Sequence, residues 1–277
     1  METLLRRAKP VRGRSWLGGL AGRLAQPRIR RPMISLIVML VAWEALGRFV
    51  LTNRLFFVPA SDVAAALFDL AANGTLLLHA TASFKAILYG MVLAAVIGVS
   101  FGVLLGVSRI VSDYTEIYLN ALYSTPLVAV APLLILWLGI GIASKVAVVF
   151  LISVFPIVIS TASGVRNVDR HLVDVARAFG GTRWKIVRKV LMPAALPFVL
   201  TGIRLAIGRA IVGVVVGELF GANAGLGYLI YASGQTFDVP NLFAGVLCLA
   251  FAGVFLTWAL QALESWLVRW KPPALED

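Results

Sequence analysis

Four ionisable side chains stand out within stretches of sequence that are otherwise almost wholly apolar: Glu44, Arg204, Arg209 and Glu218. A charge at the centre of a membrane helix costs about 2.5–3.5 kcal/mol on insertion scales, so such groups face protein or water and mark either structural pairs or a solute path. At 1.5 Å rise per residue, Arg209 lies about 20 Å beyond Leu196, where its apolar stretch begins, too deep for easy snorkelling. Two readings follow: a cation lining an anion path, or a structural pair with Glu44 or with a backbone carbonyl. The second is preferred, because one arginine says little about the charge of a solute. Glu218, near the far end of the same stretch, reads as an outer-surface or gate residue.

The chain carries little else with which to do chemistry. Its two histidines, His79 and His171, form no cluster with its single cysteine, Cys248, and no apolar stretch holds paired carboxylates. No catalytic residue and no metal ligand is identified, so a membrane enzyme has nothing to assemble. No Gly-x4-Gly-Lys-Ser/Thr loop is present to cradle phosphates, so any ATP chemistry belongs to another polypeptide. Cys248 sits in an apolar run and reads as a small core residue.

The elements that must position the four charges are read from hydropathy. Of 277 residues, 60% are hydrophobic and 14% charged, against about 45–50% and about 25% in soluble domains. Spanning an apolar core of about 30 Å takes about 20 apolar helical residues, and six such windows occur: 33–49, 84–107, 125–142, 145–163, 196–220 and 242–263. The expected fold class is therefore all-α, a polytopic membrane protein with six transmembrane helices. Nineteen Lys and Arg residues fall in the arm, tail and connections of one side, against only Arg48, Arg54, Lys85 and Lys145 on the other. That asymmetry predicts both termini in the cytoplasm. It also accounts for the net charge of +12 through contact with anionic membrane lipids and without nucleic acid.

The domain reading is a basic cytoplasmic arm over 1–32, a six-helix domain over 33–263 and a cytoplasmic tail over 264–277. The arm has no apolar core of signal-peptide length. Within the 50–83 connection, residues 63–78 have helical spacing suited to an interfacial helix.

Gly90, Ala94, Gly98, Gly102 and Gly106 place a small residue at every fourth position, which clears one helix face for a neighbouring backbone. Gly213, Gly217 and Gly221 repeat the device. Pro126, Pro132 and Pro156 each delete a helix hydrogen bond and predict kinks or a broken start to the third span.

The connection over 164–195 is too long for a simple link. Asn167 or Asp169 can cap a first helix through Phe179, Gly180 and Gly181 break it, and Thr182 can cap a second that ends near Pro193. On the second, Trp184, Val187 and Leu191 share one face, with Arg183, Lys185, Arg188 and Lys189 on the others. A lipid-binding loop would have the same pattern.

Asp174-Val175-Ala176, Gly180 six residues after Asp174, and Pro193 thirteen after Gly180 resemble the Glu-Ala-Ala…Gly…Pro motif of ABC importer permeases. Asp174 and Val175 depart from that motif, shortening the carboxylate's reach and adding bulk. Similarity extends over roughly residues 36–270 and is most detailed to the nitrate, sulfonate and taurine branch. It is carried by Val58-Pro59, the run from Ala131 to Trp137, Arg204-Leu205-Ala206 and Gly225-Leu226-Gly227-Tyr228.

This resemblance implies an importer permease of the bacterial inner membrane, coupled through Asp174, Ala176, Arg177, Gly180, Gly181 and Pro193 to two separate ATPase subunits. A second permease, in a homodimer, and an extracytoplasmic solute-binding protein complete the implied assembly. The chain itself is expected to hold no cofactor, ATP and Mg residing on the ATPase. The competing reading, a secondary transporter or other ATP-independent carrier, would ordinarily show internal repeats and more than six spans.

Overall fold

The computed structural model describes residues 27–51 and 53–268. Most of the expected amino-terminal arm, through residue 26, and the tail from residue 269 lie outside the described residues. Those described are helical, without a strand, and form two compact units, one up to Asp62 and one from Val63.

In the first unit α1 (Pro27–Ala45) runs into a π-helical turn (Leu46–Val50) closed by the Leu51 N–H donating to the Leu46 carbonyl at 2.8 Å. The chain then folds back on this end. A Cβ on Gly47 would stand 2.7 Å from the Pro59 nitrogen, and the Trp43 indole donates to the Val58 carbonyl at 3.0 Å. Glu44 accepts from the Ser61 N–H at 3.0 Å, in the first turn of α2 (Ala60–Ala72), so a carboxylate satisfies an orphan donor at a helix start.

The second unit is built on α6 (Ile142–Arg166), whose residues are mostly buried. Against one side lies α3 (Thr75–Val107), 33 residues long. It begins nine residues before the expected span and takes in the last part of the expected interfacial segment. Its small-residue seam is the contact: a Cβ on Gly90 would meet Val149 at 2.5 Å, on Gly98 Ile157 at 3.0 Å, on Gly102 Thr161 at 2.6 Å, and on Gly106 Val165 at 2.5 Å. The glycines are required because the α6 backbone and its β-branched side chains occupy that space.

The expected third span is not one helix. Residues 109–124, read from sequence as a loop, form α4 (Arg109–Ser124), started by the Ser108 hydroxyl accepting from the Val111 N–H at 3.3 Å. Asp113 and Glu116 keep its hydropathy below that of a span. The chain breaks at Thr125, which is extended because a residue before proline is pushed out of the helical region. It resumes as a 3₁₀ turn (Leu127–Val130) and α5 (Ala131–Leu138), bent 83° from α4. Among the described residues five helices are long and apolar enough to cross a membrane, and this bent pair makes up to six.

After α6 come α7 (Arg170–Ala178) and α8 (Arg183–Ile186). α8 does not end at Pro193. It passes through a π-helical turn (Val187–Leu191) into α9 (Met192–Gly221), a run of 39 residues in all. The widened turn accommodates the missing N–H and the ring of Pro193 in the first turn of α9. Hydropathy counting also misses α10 (Leu226–Gln235), half the length of a span, which precedes α11 (Val239–Leu267).

Candidate functional site

The 164–195 segment starts from Asp169, whose carboxylate accepts from the His171 N–H at 2.8 Å and caps α7. At the other end the Gly181 N–H donates to the Ala176 carbonyl and the Gly180 N–H to the Arg177 carbonyl, both at 2.9 Å. With Gly180 at φ +73°, these are the two bonds of a Schellman ending, which places a left-handed residue just past the helix. Gly181 is needed for a different reason, since a Cβ there would stand 2.6 Å from the Ala176 oxygen. Thr182 then caps α8, its hydroxyl accepting from the Lys185 N–H at 3.5 Å.

The turn folds α7 back over the start of the long helix. Ala176 and Pro193, 17 residues apart, line one open groove of about 420 Å³ with Leu172, Val175 and Val190. Asp174 pairs with Arg177 at 3.3 Å on the exposed surface of α7, and Phe179 at the turn is 89% exposed. Of the apolar face expected on α8, Trp184 is exposed and the buried residue is Ile186. Where the segment leaves α6, Arg166 donates to the Ser112 hydroxyl at 2.5 Å and lies 3.7 Å from Glu116, tying α6 to α4.

Glu218 is not at an outer surface. It is fully buried and collects donors from three elements. Ser83 of α3 donates at 2.8 Å, the Gly227 N–H at the start of α10 at 2.8 Å, and Lys145 of α6 lies 3.5 Å away. Lys145, taken from sequence as a flanking charge, is 6% exposed and also donates to the Ala224 carbonyl at 2.5 Å.

Three N–H groups at the start of α10 are thereby satisfied from outside it. Gly225 donates to His79 Nδ1 at 3.0 Å, Leu226 to the Ser83 hydroxyl at 2.8 Å, and Gly227 to Glu218. Orphan donors at a buried helix start need such partners. His79, Ser83 and Lys145 escaped sequence reasoning; the one available signal was the i, i+4 spacing of His79 and Ser83, which puts both on one face of α3.

The remaining candidate charges divide. Glu44 pairs with Arg48 at 2.5 Å, and Arg204 of α9 pairs with Glu264 of α11. Arg209 has a partner within the second unit that the sequence reading did not name. It donates to the Tyr123 hydroxyl at 2.7 Å, with its guanidinium carbon 4.6 Å from that ring's centroid. Among the described residues no metal-binding group of His, Cys, Asp and Glu occurs.

Residues 94–271 match the family described as the binding-protein-dependent transport system inner membrane component. The chain is 33% identical to the putative aliphatic sulfonates transport permease protein SsuC of Bacillus subtilis, over 84% of this chain and 85% of that one. It is 36% identical to the riboflavin transport system permease protein RibX of Chloroflexus aurantiacus, over 90% and 92% of the respective chains. Its fold is similar to a solved structure of the MetNI methionine ABC transporter in an inward-facing conformation. There the TM-score is 0.60 at 22% identity, over 68% of this chain and 93% of that one.

Proposed function

This chain belongs to the binding-protein-dependent inner membrane components, as an ABC importer permease of the sulfonate and taurine branch, and from that premise we propose that the 164–195 segment is its docking site for the ATPase. The protein is a multi-pass membrane protein and a transport subunit, and its family works with an ATPase and a solute-binding protein.

One observation carries the docking assignment. The Schellman turn at Gly180 folds Ala176 back beside Pro193 and leaves Asp174 and Arg177 on the exposed surface of α7, giving an exposed helix, an open groove and a protruding Phe179. The same turn sits at the foot of a helical run that continues from Arg183 to Gly221. A rod of this kind carries a push at Thr182 to Arg209, about 40 Å away at 1.5 Å per residue. Closure of the ATPase thereby reaches the apolar part of the chain without a flexible joint.

In this reading two ATPase subunits, holding ATP and Mg, sit beneath a homodimer of this permease in the inner membrane of a bacterium. Both termini face the ATPase, and the solute-binding protein docks on the opposite side. The solute is a small organic molecule of the kind named for the relatives, a sulfonate or taurine-like anion or a related organic solute. The family alone does not choose among these, since SsuC and RibX are named for an aliphatic sulfonate and for riboflavin.

The test is co-purification with the ATPase. Gly180→Pro cannot adopt φ +73°, and Asp174→Arg reverses the exposed charge; each variant is expected to lose the ATPase while still inserting in the membrane. Normal ATPase binding and transport by both variants would end the docking assignment.

A further inference from the structure

We propose that Arg209 and Tyr123 form an oxyanion-binding point for the transported solute, at the break between α4 and α5. The inference deepens the permease reading and rests on it.

Of the four charges singled out from the sequence, three are matched by an opposite charge: Glu44 by Arg48, Arg204 by Glu264 and Glu218 by Lys145. Arg209 differs. Among the described residues its guanidinium has no carboxylate partner, and one of its five N–H donors is used, on the Tyr123 hydroxyl. The tyrosine ring lies under the guanidinium at 4.6 Å. A cation–π contact of this kind orients the fork and leaves its charge in place. A planar, oriented fork with free donors is the group that recognises a carboxylate or sulfonate through two parallel hydrogen bonds.

A second, independent observation lies at the same place. Tyr123 is the next-to-last residue of α4, and the chain breaks immediately after it, bending by 83°. Ser124, Thr125 and Pro126 are exposed there. Irregular backbone at membrane depth persists only where it is buried in protein or lines a water-filled cavity. No described part of this chain covers the break, which leaves it to the second permease or to an aqueous route between the two; we take the aqueous route, with Arg209 beside it on the helical run that starts from Arg183. The ligand class is a small organic oxyanion, held for a moment during passage.

The experiment uses the whole permease–ATPase complex in phosphatidylcholine nanodiscs, with radiolabelled ethanesulfonate as the probe. Saturable binding is expected, displaced by acetate and not by choline. Arg209→Gln is expected to weaken it at least tenfold, and Tyr123→Phe about threefold, with assembly and thermal stability unchanged. Undiminished binding in Arg209→Gln, or no saturable binding in the unaltered complex, would overturn the proposal. So would loss of assembly in both Arg209→Gln and Arg209→Lys, which would make Arg209 a structural residue. These outcomes are separable from failure of the permease reading itself, which would appear as an unaltered chain that brings down no ATPase.

Discussion

Gly225 and Glu218 lie so close that a methyl group on the glycine would overlap the carboxylate carbon and both of its oxygens. Gly225 also sits at φ +139°, a region that L residues with a side chain rarely occupy. The start of α10 is therefore shaped around a buried acid, and the acid around a missing side chain. Gly225→Ala is expected to destabilise the protein by on the order of 3 kcal/mol, combining strain with displacement of a buried hydrogen-bonded charge. Thermal unfolding of the purified permease would show it; an unchanged transition would mean the α9–α10 turn relaxes freely.

Lys145 and Glu218 form a pair from which neither charge can be removed alone without leaving the other buried. Breaking such a pair costs about 3–5 kcal/mol, whereas neutralising both together costs far less. Lys145→Met is expected to be strongly destabilising, and the double variant Lys145→Met/Glu218→Gln to recover a measurable part of that loss. Strict additivity in the double-mutant cycle would remove the coupling.

The seam between α3 and α6 can be tested by contrast. A Cβ on Gly102 would meet Thr161 at 2.6 Å and the Val158 carbonyl at 2.8 Å, whereas a Cβ on Gly208 in α9 meets nothing within 4 Å. Gly102→Ala is expected to cost about 1–3 kcal/mol by overpacking, and Gly208→Ala to be neutral or stabilising by up to about 1 kcal/mol, because alanine suits a helix interior better. Equal unfolding temperatures for the two variants would contradict this account of the seam.

At the Schellman turn the two glycines should behave differently. Gly180 has a left-handed backbone with open space around it, so Gly180→Asn should be tolerated, since asparagine enters that region readily. Gly181→Ala places a methyl against the Ala176 oxygen and should weaken the bond that closes the turn. ATPase capture is expected to be near normal in the first variant and reduced severalfold in the second; the reverse order would refute the role assigned to each glycine.

The features legible in the sequence are those whose cause is local. A window of apolar residues is long enough for a membrane or it is not, and the lengths around 84–107, 145–163, 196–220 and 242–263 follow from that alone. Small residues at every fourth position give α3 its flat face whatever packs there, and Gly180 ends α7 because the residues beside it supply the two closing bonds. Asp169 and Thr182 cap helices for the same short-range reason.

Tertiary structure decided the partners and the breaks. Glu218 lies 135 residues from Ser83 and 73 from Lys145, and Arg209 lies 86 from Tyr123. No periodicity within one helix could join them. Proline showed the same dependence: Pro126 breaks the third span because the preceding residue is forced out of the helix, whereas Pro193 is absorbed by a π-helical turn and leaves the rod intact. Local pattern thus determined which stretches are helical and where glycine is required. Convergence of α3, α6, α9 and α10 determined that Glu218 is paired in the core, and the approach of α4 to α9 determined that Arg209 meets Tyr123.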